Sequence, residues 1–178
     1  LDGEWGVKTE AASTAWDALY ARLLGRYGPL DPRTEANLHT VLHAMQEGAR
    51  ELLLRLREAG ITARVVSGTR TYAAQQTLYD IGRTIDIGKG TVTRAKPGQS
   101  LHNFGIAVDI GIWKEGVYLR DSPLYAQAGE IGREVDGMEW GGDWETQPDR
   151  PHYQLATGFS LAELRQRFEA GTGLLLAT

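Results

Sequence analysis

From Ile106 onward the β-branched residues Ile106, Val108, Ile110 and Ile112 alternate with Ala107, Asp109, Gly111 and Trp113. A period of two sustained over that length is the pattern of a strand with one buried face, and it assigns each residue to a face. Asp109 is thereby turned away from the core. Its neighbours on that face, Ala107 and Gly111, are small, which predicts a surface cleared of bulk so that something can approach the carboxylate closely. His102 stands just before the strand, and Gly105 between them permits a tight turn. Histidine and carboxylate are ordinary zinc ligands, and a catalytic zinc has three protein ligands and one open position. A third ligand is therefore expected elsewhere in the chain.

Composition narrows the alternatives. A chain of 178 residues is long enough to bury one core of its own. With 24% charged and 42% apolar residues it has the profile of an ordinary soluble globular protein. The net charge of -4 argues against a nucleic-acid partner, which needs a basic surface. No apolar run reaches membrane-spanning length. The absence of cysteine removes disulfides, thiolate zinc sites and cysteine nucleophiles together, so any metal must rest on His, Asp or Glu. The chain opens on Leu1 and not on methionine, so an upstream segment is expected to have been lost; a removed signal peptide would leave no trace here.

Residues 1–30 read as an accessory segment with a short helix from Ser13 to Leu24, broken by Gly25, Gly28 and Pro29. Asp31 and Pro32 then supply an N-cap and a first-turn proline. Leu38, Val41, Leu42, Met45, Ala49, Leu52, Leu53 and Leu56 follow at three- and four-residue steps, predicting one long amphipathic helix up to Gly60. His39 and His43 would share a face of that helix, but a zincin helix needs glutamate after its first histidine and this chain has Thr40. They are read as solvent-side histidines beside the apolar stripe.

Ile61 to Ser67 predicts a strand, and Gly68, Thr69 and Arg70 a turn into a helix starting near Thr71. Residues 84–100 form an irregular rim with one short extended piece at Thr91 to Thr93. Val117 to Leu119 return beside the Asp109 strand, and a helix beginning at Ser122 and Pro123 stops at Gly137. Pro151 to Leu155 predicts a second strand carrying His152, with Asp149 three residues ahead of it. Trp144 could line a groove there, whereas Trp140 reads as core. Ser160 with Glu163 makes a capping box for a last helix ending at Gly171.

The residues alone support a zinc site of two nitrogens and one oxygen, His102, Asp109 and His152, with Asp149 as a free carboxylate able to act as a base. The competing reading is structural, since hydrogen-bonded polar residues at strand ends are common. Serine-nucleophile chemistry has no support, because no Gly-x-Ser-x-Gly run occurs.

Three separated motifs resemble one family. The run Ser100-Leu101-His102-Asn103-Phe104-Gly105-Ile106-Ala107-Val108-Asp109, the downstream Asp149-x-Pro151-His152, and the upstream Ser67-Gly68-Thr69-Arg70-Thr71-Tyr72 with Gln75 and Leu78 are similar to the signature of the peptidoglycan zinc peptidases. That family includes the vancomycin-resistance D,D-peptidases, D-Ala-D-Ala carboxypeptidases and L-alanyl-D-glutamate endopeptidases. The resemblance runs from about Asp31 to Leu155. It implies zinc on His102, Asp109 and His152, a catalytic carboxylate at Asp149, and Arg70 over the metal to stabilise the oxyanion or hold a substrate carboxylate. Ser100, Tyr72, Gln75 and Trp144 are the expected substrate contacts. The D,D-dipeptidase branch has Glu at the position of Asp149, and Asp there is similar to the endopeptidase branch.

The expected fold is α+β: a small, mainly antiparallel sheet with helices packed on one side, like that of the D,D-peptidases and the hedgehog signalling domain. Residues 1–30 form an accessory segment and residues 31–178 the catalytic domain. The expected function is zinc-dependent hydrolysis in the stem peptide of bacterial peptidoglycan, as an L-alanyl-D-glutamate endopeptidase or a D,D- or L,D-carboxypeptidase. The competing class is a non-catalytic zinc-containing binding module. A monomer is expected, acting at the cell wall outside the membrane or as a phage lysin.

Overall fold

The computed structural model of the chain describes residues 7–174. The chain divides into two compact units, Leu1–Leu30 and Asp31–Thr178. In the first, helix α1 spans Val7–Tyr27, longer at both ends than its apolar residues predict, and Gly25 lies within it. The helix ends at Gly28, whose φ of 73° is open to glycine at little cost.

The second unit begins with the break that the sequence hides. The single long helix expected after Asp31 is two helices, α2 at Pro32–Leu38 and α3 at His43–Glu58. Asp31 caps α2 as expected, its side chain accepting from the Thr34 N–H. The backbone leaves the helix at residues 39–42 because it has other partners. The Leu42 N–H donates to the Gly105 carbonyl at 2.8 Å, and Thr69 bonds Thr40 through both its N–H and its hydroxyl. His39 thus closes α2 and His43 opens α3, so the two do not share a helix face.

The sheet has five strands: β1 (Thr62–Ser67), β2 (Ala107–Lys114), β3 (Val117–Leu119), β4 (Met138–Trp140) and β5 (His152–Leu155). Their order is β1-β2-β5-β4, with β3 pairing the far end of β2, and every pairing is antiparallel. The pattern at Ile106 to Trp113 thus marks the central strand. Strand β4 has no counterpart in the sequence reading.

Register sorts the side chains by face. Val108 pairs with Tyr153 and Tyr153 with Trp140, placing them on one side of the sheet. That side is covered by α3 and by α5 (Leu124–Arg133). Glycines bring the helices close: a Cβ at Gly132 would stand 2.3 Å from the Tyr153 ring, and one at Gly48 would stand 2.6 Å from the Met138 sulfur. Asp109 pairs with His152 and Ala107 with Gln154, so these share the opposite face.

On that opposite face Gly111 is small for a different reason than expected. A Cβ there would lie 2.8 Å from the Trp113 ring and 2.9 Å from the Tyr118 ring, so two aromatics fold over it. The position accommodates indole and phenol and not an approaching ligand.

Two helices complete the unit. Thr71 caps α4 (Tyr72–Asp80). The rim after it is irregular, as expected, but its ordered piece is a 3-10 turn at Ile87–Lys89 and not an extended segment at 91–93. Ser160 and Glu163 form the full capping box of α6 (Leu161–Glu169). Ser160→Ala should therefore cost about 1 kcal/mol. A thermal melt is expected to shift down by about 2–4 °C, and an unchanged midpoint would show the cap to be energetically idle.

Candidate active site

Three side chains converge from three places. His102 lies in a 3-10 turn, Leu101–Phe104, that Gly105 ends at a φ of 70°. Asp109 is the third residue of β2 and His152 the first of β5, directly across the ladder from it. The ligand atoms of all three lie within 4.8 Å of one another, the one such group among the described residues. Asp109 Oδ1 stands 3.2 Å from His102 Nε2 and 3.2 Å from His152 Nδ1. A tetrahedral zinc with ligands at about 2.0–2.1 Å sets them about 3.3–3.4 Å apart, and both distances to Asp109 fit one ion.

The hydrogen-bond chemistry fits as well. His102 Nδ1 lies 2.8 Å from the Gly68 carbonyl, an acceptor only, so that nitrogen carries the proton and Nε2 offers a lone pair to the centre. His152 is turned the other way. Its Nε2 lies 3.1 Å from Gln154 Oε1, which leaves Nδ1 for the metal. Both histidines are buried, at 4% and 5% exposure, which limits the rotamers open to them. Without an ion, burial alone would raise the Asp109 carboxyl, but hydrogen bonds from His102 and His152, together with their charges, hold it well below the usual carboxylate range.

Local structure explains the spacing of Asp149 and His152. The His152 N–H donates to the Asp149 carbonyl at 3.2 Å, closing a turn through Arg150 and Pro151. The Asp149 N–H donates to the Gly141 carbonyl at 2.9 Å, and a Cβ on Gly141 would crowd this turn at 2.7 Å. The main chain thus fixes Asp149 beside the triad without involving its carboxylate. Partial desolvation, with the Asp109 charge close by, raises Asp149 above the ordinary carboxylate value, although His152 and His102 pull the other way.

A cleft of about 680 Å³ surrounds these groups, lined among others by Arg70, Ser100, Trp144 and Asp149. Arg70 is braced in it: Nη1 donates to Gln75 Oε1 at 2.8 Å and Nη2 to Ser67 Oγ at 3.3 Å. The Trp144 ring centroid lies 5.0 Å from that of His152. Of the expected substrate contacts, Ser100 and Trp144 line the cleft. Tyr72 and Gln75 do not. Tyr72 donates to Glu169 and stacks near Phe168, at 6.2 Å between centroids. Gln75 is fully buried, and its Nε2 donates to the Ala95 carbonyl while its Oε1 holds Arg70. It positions the arginine and the rim. Gln154 and Glu139 are among the cleft residues that the sequence did not mark. The signal for Gln154 was present, since residues two apart on a strand share a face.

The chain is similar to several known proteins. The family model described as D-alanyl-D-alanine carboxypeptidase matches residues 93–155, which contain the whole triad and Asp149. The peptidoglycan L-alanyl-D-glutamate endopeptidase CwlK of Bacillus subtilis is 31% identical over 136 residues, 70% of this chain and 77% of that protein. The crystal structure of the Serratia marcescens L-Ala D-Glu endopeptidase ChiX is similar with a TM-score of 0.54 at 28% identity, covering 72% of this chain and 90% of that one. The vancomycin-resistance D,D-pentapeptidase VanY, solved with Zn(II), shares the fold at a TM-score of 0.53 and 20% identity, covering 75% and 81% of the two chains. Similarity to CwlK at that identity and coverage shows that this chain belongs to the D-alanyl-D-alanine carboxypeptidase family of metallopeptidases.

Proposed function

We propose that the chain is a zinc-dependent endopeptidase of the peptidoglycan stem peptide, cutting between L-alanine and D-glutamate. The observation that carries this choice is the course of the cleft. A second hollow, lined by residues 91–95, Trp144 and residues 146–149, shares Val92, Thr93, Ala95, Trp144 and Asp149 with the first. The two hollows adjoin along these residues, which leaves room for peptide on both sides of Asp149, as an enzyme cutting inside a chain requires. The names of CwlK and ChiX support the same bond, as does aspartate at position 149. The substrate places the action at the cell wall; among the described residues no helix is long and apolar enough to cross a membrane.

His102, Asp109 and His152 would hold the zinc. When bound there, zinc supplies Lewis acidity and makes water acidic enough to attack near pH 7. Asp149 takes the proton of the attacking water and passes it to the leaving amine. Arg70, aimed into the cleft by Gln75 and Ser67, offsets the charge that develops on the carbonyl oxygen. Trp144, tilted against His152, borders one side of the site. A role as a binding module alone would leave the placement of Arg70 and Asp149 without purpose.

Mass spectrometry of defined muropeptides tests the bond: a new N-terminal D-glutamate is expected, and release of terminal D-alanine alone would replace this reading with a carboxypeptidase. Arg70→Lys keeps the charge but loses the planar fork that bonds Gln75 and Ser67 together. Turnover should fall by roughly 10-fold, less than for loss of an oxyanion donor outright. Near-normal turnover by the lysine variant would reduce Arg70 to a simple charge.

A further inference from the structure

The hydrogen bonds of the site do not stop at Gln154. Its Nε2 donates to Glu139 Oε2 at 2.7 Å, across the ladder from β5 to β4, where Glu139 is the cross-strand partner of Gln154. A line of groups thus runs Asp109, His152, Gln154, Glu139 over three adjacent strands. One end is a half-buried ligand; the other is an exposed carboxylate.

We infer that Glu139 is a remote positioning residue for the metal, acting through Gln154 to decide which nitrogen of His152 carries the proton. The inference rests on zinc binding at the triad, as proposed above.

A side-chain amide has one end that accepts and one that donates, and it can turn over. A carboxylate only accepts, so Glu139 draws the amide NH2 of Gln154 towards itself and presents the amide oxygen to His152. That oxygen can only accept, which keeps the proton on Nε2 and the lone pair on Nδ1, facing Asp109 and His102. The opposite arrangement has its own attraction in the metal-free site. With the amide turned over, Gln154 would donate to Nε2, and Nδ1–H would donate to Asp109 in the place the metal needs. Nothing in His152 or Asp109 forbids this, and the acceptor-only carboxylate of Glu139 does. Outer partners of this kind are generally worth 10- to 100-fold in metal affinity.

The test replaces the acceptor-only group by a donor-only one. In Glu139→Lys the ammonium must bond the amide oxygen, so Gln154 turns its NH2 to His152 and the proton moves to Nδ1. Zinc affinity of the full chain, measured by competition with a chromophoric chelator, is expected to fall by about 10-fold or more. Gln154→Met, which removes the acceptor altogether, should lose affinity similarly. Glu139→Gln removes the charge but keeps an acceptor oxygen, and should stay within a few-fold of wild type. The double variant Glu139→Lys with Gln154→Glu puts a carboxylate back beside His152 Nε2, paired to the lysine, and should recover most of the affinity although its net charge is more positive than wild type. Nitrogen-15 spectra of the zinc-loaded protein give a second readout, the His152 Nε2–H resonance moving in Glu139→Lys as that proton loses its oxygen acceptor. Circular dichroism checks that each variant folds.

Unchanged affinity in both Glu139→Lys and Gln154→Met overturns the inference. So does a double variant as weak as Glu139→Lys, which would reduce the effect to charge. If the wild-type chain itself takes no zinc, the metal reading falls, and this inference falls with it.

Discussion

His102→Ala and His152→Ala are each expected to lose zinc and hydrolytic activity together, to background. Each deletion leaves two donors where a catalytic zinc needs three, and neither loss can be made good locally. Asp149, a carboxylate that also lines the cleft, does not belong to the group whose ligand atoms converge. Asp109 would also lose one of the two histidines that hold its carboxyl low, and with it part of its readiness to bind a cation. His39→Ala and His43→Ala are the controls. One closes α2 and the other opens α3, outside the convergent group, so both variants should keep a full complement of zinc and normal turnover. Elemental analysis alongside peptidoglycan hydrolysis decides it. Zinc retained in His152→Ala, or lost in His43→Ala, would move the metal site.

The parts of this molecule that were legible in its sequence are those set by local rules or by the triad's chemistry. The alternation from Ile106 to Ile112 reads as a strand in any context, because side-chain period is a property of the backbone. The capping box at Ser160 and the N-cap at Asp31 are equally local. What escaped was decided by partners far away in the chain. Leu38, Val41, Leu42 and Met45 keep helical spacing straight through the break between α2 and α3. The break comes from Gly105, whose carbonyl accepts from the Leu42 N–H, and from Thr69, whose hydroxyl donates to the Thr40 carbonyl, backbone groups that a continuous helix would have used. Those same turns deliver the Gly68 carbonyl to His102, so the interruption belongs to the construction of the site. Gly111 shows the limit of reading residue size: a small side chain marks an occupied space, and the sequence does not say whether a ligand or an indole fills it. Gln75 was found through its motif, but its burial turned it from a substrate contact into a brace for Arg70.

Asp149→Asn should separate metal binding from catalysis, with zinc staying near one per chain while turnover falls by roughly 10²-fold or more, the range for losing a general base. Retention of zinc follows from the backbone. The turn that carries His152 is closed by main-chain bonds from His152 to Asp149 and from Asp149 to Gly141, and neither uses the carboxylate. Asparagine preserves the size of the side chain and an accepting oxygen, so the triad has no reason to move. The loss of rate follows from chemistry: an amide accepts no proton near neutral pH. The raised affinity of Asp149 for its proton, due to partial desolvation and the Asp109 charge, brings it closer to the pH at which a base both takes and returns a proton efficiently. Substrate affinity should change little, because asparagine keeps the size and shape of the cleft lining at this position. Asp143 and Glu145 are the rival bases, and the structure weakens both. Asp143 is gripped by Arg133, whose Nε donates to Oδ2 at 2.8 Å and whose Nη2 donates to Oδ1 at 2.5 Å, and these bonds hold its carboxyl below the usual range. Glu145 does not line the cleft. Zinc content and muropeptide hydrolysis of Asp149→Asn, Asp143→Asn and Glu145→Gln, measured side by side, distinguish the roles. Zinc lost from the first variant would make Asp149 a ligand, and a larger rate loss in either of the others would move the base there.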